Sequence, residues 1–151
     1  MKNQKGFTLI ELLLVLAIIG IISAIAIPAL LGQRERAKAK AVQGNVDAVA
    51  GELARISDTL KENGKTPTAQ NVVDSFLMLS NYNTPNTVNP YDGSKPPFVS
   101  GTVQAEGQVA LSATQGYIDP ATGLSYPAVT IIGSYLDGGV GVSREKVVAL
   151  D

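Results

Sequence analysis

The protein has 151 residues and a formal charge of −1, from 12 lysine and arginine residues against 13 aspartate and glutamate residues. That length fits one domain with a single modest core, and the near-neutral charge gives no reason to expect specific nucleic-acid binding. The chain has no cysteine and no histidine, which excludes disulfides and cysteine-based metal sites and removes the commonest general base.

A short polar leader with Lys2 and Lys5 opens the chain, and a long apolar segment follows it. Residues 12–33 form a run of 22 residues without a charge, and a helix that crosses a bilayer needs about 20. Glu11 lies at the start of this run, where a carboxylate costs roughly 2.5–3.5 kcal/mol on membrane-insertion scales. Because residues 12–33 carry no charge, we expect its partner to come from another chain, a lipid headgroup or a newly exposed amine.

The stretch from Gly6 to Glu11, GFTLIE, resembles the processing site of type IV pilins and of the related secretion-system pseudopilins. The resemblance implies that a prepilin peptidase removes residues 1–6 by cutting between Gly6 and Phe7, and that the new amine of Phe7 is methylated. It also implies that Glu11 pairs with the Phe7 amine of a neighbouring subunit during assembly. Such a pairing would supply the opposite charge that a carboxylate in apolar surroundings requires.

Gly20 and Pro28 interrupt the apolar segment. Proline removes a helical hydrogen bond and clashes with the preceding turn, and glycine adds backbone freedom. One interpretation is a simple kink of the kind that membrane helices tolerate. The other is a segment, Gly20 to Pro28, that melts when subunits leave the bilayer and pack into a filament.

An amphipathic helix follows in residues 34–64. Apolar residues spaced four and three apart form one stripe: Val42, Val46, Val49, Leu53, Ile56 and Leu60. Asn63-Gly64 is a helix-ending signal. If residues 7–62 form one continuous helix, it is about 80 Å long at 1.5 Å per residue, a shape that suits a membrane-anchored or bundled subunit. The basic group from Arg34 to Lys40 is either a solvated face or a surface for lipid or a partner.

The remaining residues, 65–151, predict a small globular head. We expect a helix at 68–80, a loop at 81–97, and strands at 98–104, 108–113, 116–119, 124–135 and 145–150. Turns are predicted at 119–123 and 137–139. Together with residues 7–33 as a membrane or filament-core half-helix, this predicts an α+β, type IV pilin-like fold: a long N-terminal helix packed against a small antiparallel sheet.

Without cysteine, the C-terminal segment needs another fastening, and we expect strand packing of Val147, Val148 and Leu150 to provide it. We predict no cofactor. Calcium enters only in the pseudopilin alternative, with Asp92, Asp137 and Asp151 as oxygen donors, and a turn role for Asp92 and Asp137 is favoured because calcium needs clustered acids. We find no catalytic constellation and expect no enzyme activity.

The resemblance implies a major pilin that polymerises from an inner-membrane pool into a surface filament for motility or adhesion, with the assembly platform and motor as partners. Three alternatives stay open: a type II secretion pseudopilin, a minor pilin in DNA uptake, and an exported binding protein. In the last case an ordinary signal peptide ends at Ala24-Ile25-Ala26, and the mature chain begins at Ile27. A simple membrane anchor would also explain the length of the apolar run, but it explains neither Glu11 nor the Gly6-Phe7 junction, and the length of the run disfavours a buried core helix.

Overall fold

The computed structural model describes residues 6–79 and 88–150. Its elements are α1 (Leu9–Glu62), α2 (Ala69–Met78), β1 (Phe98–Ser100), β2 (Val109–Ile118), β3 (Ser125–Asp137) and β4 (Val140–Ala149). Backbone contacts divide the chain into two units, and the boundary falls between Glu35 and Arg36. We call them the N-terminal unit and the head.

The predicted long helix is confirmed: α1 contains Pro28 and ends where the sequence indicates. Gly64 has a φ of 71°, a conformation that favours glycine. Its N–H donates to the Lys61 carbonyl at 2.9 Å, and the Lys65 N–H donates to the Leu60 carbonyl at 2.9 Å. These two bonds form a Schellman motif, which satisfies the last carbonyls of the helix.

Within the head, the predicted stripe of α1 is the surface that the core is built on. Val42, Val46 and Leu53 are fully buried, and Leu60 packs against the same cluster. Gly133 of β3 lies against this stripe: a Cβ at that position would come within 2.6 Å of Val46 Cγ2 and 3.0 Å of Val42 Cγ1. The glycine therefore lets the strand approach the helix closely.

The second helix covers one end of the core. The Thr68 hydroxyl accepts the Asn71 N–H at 3.2 Å, so Thr68 caps the start of α2. Phe76 is fully buried, and its ring meets that of Phe98 edge to face, with centroids 5.4 Å apart. This contact fastens α2 to β1.

The sheet has four strands in the order β1-β2-β3-β4. The fold class is confirmed, but the expectation of an antiparallel sheet is wrong for the first pair, because β1 pairs with β2 in parallel over three residues. Residues 101–108 return the chain so that β2 starts beside the start of β1. Gly101 and Gly107 take φ values of 88° and 81° in that connection, where other residues would be strained.

The strand boundaries also differ from the expected ones. The predicted strands 108–113 and 116–119 are one strand, β2, with a bulge between Thr114 and Tyr117. The predicted strand 98–104 ends at Ser100, and the last strand begins at Val140 rather than 145. Gly138 and Gly139, at φ values of 59° and 82°, make the two-residue turn that joins β3 to β4. The predicted loop 81–97 lies partly outside the described residues.

Candidate assembly site

The predicted processing and assembly residues lie together at the start of α1. Gly6 and Phe7 precede the helix in exposed, non-helical backbone, and the Phe7 side chain is 88% exposed. Glu11 lies in the first helical turn. The Gly6–Phe7 bond is therefore exposed and lies outside regular secondary structure, immediately before the start of α1.

Thr8 and Glu11 form a capping box that the sequence interpretation missed. The Thr8 N–H and hydroxyl donate to Glu11 Oε2 at 3.0 and 2.9 Å, and the Glu11 N–H donates to the Thr8 hydroxyl at 3.3 Å. The spacing T-x-x-E was the available signal. Thr8 therefore supplies hydrogen bonds to Glu11 but leaves its charge unneutralised, so the expected pairing of Glu11 with a positive charge outside this segment stays a prediction.

In the N-terminal unit, exposed apolar side chains lie on all sides of the helix. Within residues 6–79 and 88–150, α1 is the helix long and apolar enough to cross a membrane, and none of its most apolar 18-residue window is buried. Gly20 and Pro28 lie inside this continuous helix. Their predicted melting concerns the assembled state and stays a prediction.

An ion-pair cluster joins the C-terminal strand to α1 within the head. Arg144 Nη2 and Lys146 Nζ each lie 3.1 Å from Asp47 Oδ1. The hydrogen bond from Lys146, together with the nearby charges of Arg144 and Lys146, holds the pKa of Asp47 below its ordinary value. All three side chains are partly exposed, so their contribution to stability is modest and sensitive to salt.

Packing at the end of β4 provides the rest of the C-terminal fastening through two of the three predicted residues, Val148 and Leu150, whereas Val147 pairs with Thr130 in the sheet and does not belong to the packed core. Strand β4 pairs with β3 from Val140 to Ala149. Leu150 is 4% exposed, and its N–H donates to the Pro127 carbonyl at 3.0 Å. Val148 packs against the core. These contacts hold the C-terminal segment in place in a chain that has no cysteine to form a disulfide.

A second fastening ties the loop at 88–93 to the sheet. Asn89 is 2% exposed; its amide donates to the Glu106 carbonyl at 2.8 Å and accepts the Tyr91 N–H at 2.8 Å. A Cβ on Gly107 would lie 1.9 Å from the Asn89 oxygen. The Leu136 N–H donates to the Tyr91 hydroxyl at 3.0 Å. The loop is therefore held at two points.

Two of the three proposed calcium donors, Asp92 and Asp137, lie within the described residues. Asp92 accepts the Ser94 hydroxyl at 2.6 Å, which lowers the pKa of Asp92, and Asp137 ends β3. Asp151 lies outside the described residues. Across the described part of the chain, no three histidine, cysteine, aspartate or glutamate side chains group as a metal site would require. Asp92 thus stabilises a turn in this structure.

Fold and site together define a type IV pilin-like α+β protein, in which a capped, apolar helix start is followed by a sheet-covered helix end. A family model for the prokaryotic N-terminal methylation motif matches residues 1–27. This match covers Gly6, Phe7 and Glu11 as well as Gly20.

Three curated relatives extend the comparison. A fimbrial protein of Pseudomonas aeruginosa is 36% identical over 118 residues, which cover 77% of this chain and 71% of that protein. The type IV wide pilus major component PilA4 of Thermus thermophilus is 65% identical over 37 residues, covering 24% of this chain and 28% of that protein. Type II secretion system core protein G of Klebsiella pneumoniae is 34% identical over 78 residues, covering 51% of this chain and 53% of that protein.

The chain therefore belongs to the type IV pilin and pseudopilin family. The matches to the Thermus and Klebsiella proteins span about a quarter and about half of those proteins. No solved structure matches the chain significantly.

Proposed function

We propose that the chain is a structural subunit, a major pilin, that polymerises into a surface filament from a pool in the inner membrane. The observation that carries this proposal is the helix start: the N-terminal methylation motif is followed by an apolar helix half in whose most apolar stretch no residue is buried. A solitary soluble protein does not tolerate such a surface, whereas lipid and an array of like helices both cover it.

The physical basis of assembly is an exchange of one apolar environment for another. In the membrane, lipid tails surround the N-terminal unit, and in the filament the same side chains pack against copies of themselves. Since both surroundings are apolar, the exchange involves little net hydrophobic free energy. The free energy that an assembly motor must supply is therefore mainly the cost of moving the charged groups at the helix start.

Glu11 and Phe7 are the groups that we assign to subunit alignment. Removal of residues 1–6 discards Lys2 and Lys5 and creates an amine on Phe7, the one positive group at the start of the apolar helix. Thr8 orients the Glu11 carboxylate through two hydrogen bonds but leaves its charge available. Pairing with the amine of the next subunit is a heterologous contact that does not close, so it generates a filament.

Two observations bear on the alternatives. The match to core protein G of Klebsiella pneumoniae favours a secretion pseudopilin as the second candidate, with a short periplasmic filament. The family assignment argues against an exported binding protein with an ordinary signal peptide, because the methylation motif occupies the same residues. We further propose a prepilin peptidase and an assembly platform as partners, and no catalytic activity of the chain itself.

N-terminal mass spectrometry of the mature protein tests processing. We expect a chain that begins at methylated Phe7, and we expect Gly6→Ala to retain residues 1–6 with a correspondingly higher mass. A mature chain that begins at Ile27 would refute the proposal in favour of secretion. Electron microscopy of sheared surface filaments, with identification of their main protein, then separates a major pilin from a short pseudopilus.

A matched pair of variants separates the two roles of Glu11. Glutamine serves in a capping box as glutamate does, so Glu11→Gln keeps the Thr8 hydrogen bonds and removes only the charge. Thr8→Val removes the cap and keeps the charge. We expect Glu11→Gln to abolish filaments and Thr8→Val to reduce them less. Normal filament yield from Glu11→Gln would show that Glu11 acts only as a helix cap.

A further inference from the structure

The β2–β3 hairpin extends beyond its neighbouring strands. Strand β1 pairs only with residues 109–111 of β2, and β4 pairs only with residues 128–137 of β3. Residues 117–126, which we call the hairpin tip, are therefore a two-stranded ribbon without strand neighbours among the described residues. The bulge between Thr114 and Tyr117 separates the hairpin tip from the rest of the sheet.

The hairpin tip exposes large apolar side chains at its end. Ile118 and Leu124, on either side of the turn, are each 64% exposed. Neither is needed for the core of the head, since neither belongs to its cluster of buried and packed residues. A pair of exposed apolar side chains at the end of a projecting ribbon is free to contact another molecule.

Local hydrogen bonds and a ring contact hold the hairpin tip together. Asp119 accepts the Ala121 N–H at 2.8 Å and the Thr122 hydroxyl at 3.0 Å, and the Gly123 N–H donates to the Asp119 carbonyl at 2.8 Å. The rings of Tyr117 and Tyr126 pair across the strands with centroids 6.1 Å apart. A surface that is already ordered loses little conformational entropy when it binds.

We propose that the hairpin tip, through Ile118 and Leu124, contacts a second copy of this chain in the assembled filament. This inference rests on the proposed function. Charge supports a like partner: Asp119 is the single charged residue in positions 110–136, and its carboxylate is engaged in the turn. In a heterologous contact this tip meets a different surface of the next copy, and its single charge brings little like-charge repulsion to that contact.

The exposed area explains why the contact forms only in the filament. Two side chains supply on the order of 200 Å² of apolar surface, against about 800 Å² per partner in a stable complex. The contact is too small to hold two free subunits together. Once the N-terminal helices hold copies side by side, their effective concentration rises and a contact of this size contributes to cohesion.

Single-cysteine labelling of the full-length chain tests this contact, because the chain has no cysteine of its own. Leu124→Cys is treated with a polar maleimide in detergent-dispersed subunits and in sheared filaments. Glu145→Cys is the control: Arg144 and Lys146 reach Asp47 on α1, so alternation along β4 directs Glu145 to the opposite sheet face. We expect assembly to slow labelling of Leu124→Cys about tenfold and of Glu145→Cys less than about twofold, as burial in an interface core predicts.

A second variant gives an independent readout. We expect Leu124→Asp to leave the thermal unfolding of the subunit unchanged, because the side chain is 64% exposed, and to make filaments shorter and more easily dissociated. Equal labelling of Leu124→Cys in subunits and filaments, or wild-type stability of Leu124→Asp filaments, would overturn this contact alone. If the wild-type chain forms no filaments at all, the proposed function fails, and this contact fails with it.

Discussion

Gly133→Ala tests the close packing of α1 against β3. The added Cβ would lie 2.6 Å from Val46 Cγ2 and 3.0 Å from Val42 Cγ1, well inside ordinary contact. Valine in a helix has essentially one side-chain rotamer, so these methyl groups cannot swing aside, and the helix or strand must shift. Overpacking of this kind costs about 1–3 kcal/mol. For a unit of this size, we expect the unfolding temperature to fall by about 4–12 °C.

The assay is thermal unfolding of the full-length chain in detergent, followed by circular dichroism. Gly116→Ala is the matched control, because a Cβ there would meet only the Ser125 hydroxyl at 3.7 Å. Both variants remove the same backbone freedom from the unfolded chain, so their difference isolates the clash. Val46→Ala should lessen the destabilisation that Gly133→Ala causes, as a favourable coupling in a double-mutant cycle. If Gly133→Ala unfolds at the same temperature as Gly116→Ala, the packing described here is wrong.

Three further predictions concern the fastenings of the head. Asn89→Ala leaves the Glu106 carbonyl without its buried partner and should lower the free energy of unfolding by about 1–3 kcal/mol in a urea titration. An unchanged midpoint of urea unfolding would contradict the fastening of the loop at 88–93 by Asn89. Asp47→Asn should lower the unfolding temperature slightly at low salt and not at molar salt, because its ion pairs are exposed; a salt-independent loss would contradict this. The pKa values of three aspartates are lower in the folded chain than their ordinary value of 3.8: Asp47, Asp92 and Asp119. Their contribution to stability is therefore complete above pH 3.8 and is lost as the pH falls through the lower folded-state pKa values. Unfolding temperatures measured across an acid titration check this.

Local pattern predicted the helices well. The four-three spacing from Val42 to Leu60 is a property of neighbouring turns, and the structure buries that face as expected. Gly64 likewise ends α1 through bonds to residues only three to five positions away. Such features depend on short-range geometry, which the sequence carries directly.

Long-range pairing was not predictable in the same way. The parallel pairing of β1 with β2 depends on where an eight-residue connection places the chain, and the bulge after Thr114 falls where the sequence predicted a break between two strands. In the sequence, Gly133 indicates only a residue of low strand propensity; its packing role becomes visible only in the structure, where Val46 lies against it. The ion pairs of Asp47 join residues almost a hundred positions apart.

The start of α1 contains features that the sequence predicted and features that it did not. The apolar run and the GFTLIE stretch were sufficient to identify the family to which the chain belongs. The T-x-x-E spacing of Thr8 and Glu11 also indicates a capping box, whereas the charge of Glu11 alone indicates an ion pair and not a hydrogen-bond acceptor for the helix start. The position of Phe7 relative to a neighbouring subunit depends on assembly and lies beyond one chain.

A density map of the polymer at side-chain resolution tests the central proposal most directly. We predict the Glu11 carboxylate within about 4 Å of the N-terminal nitrogen of Phe7 on an adjacent subunit, the range of an ion pair. A map in which that carboxylate contacts only Thr8 of its own chain, with the Phe7 amine elsewhere, would contradict the proposal.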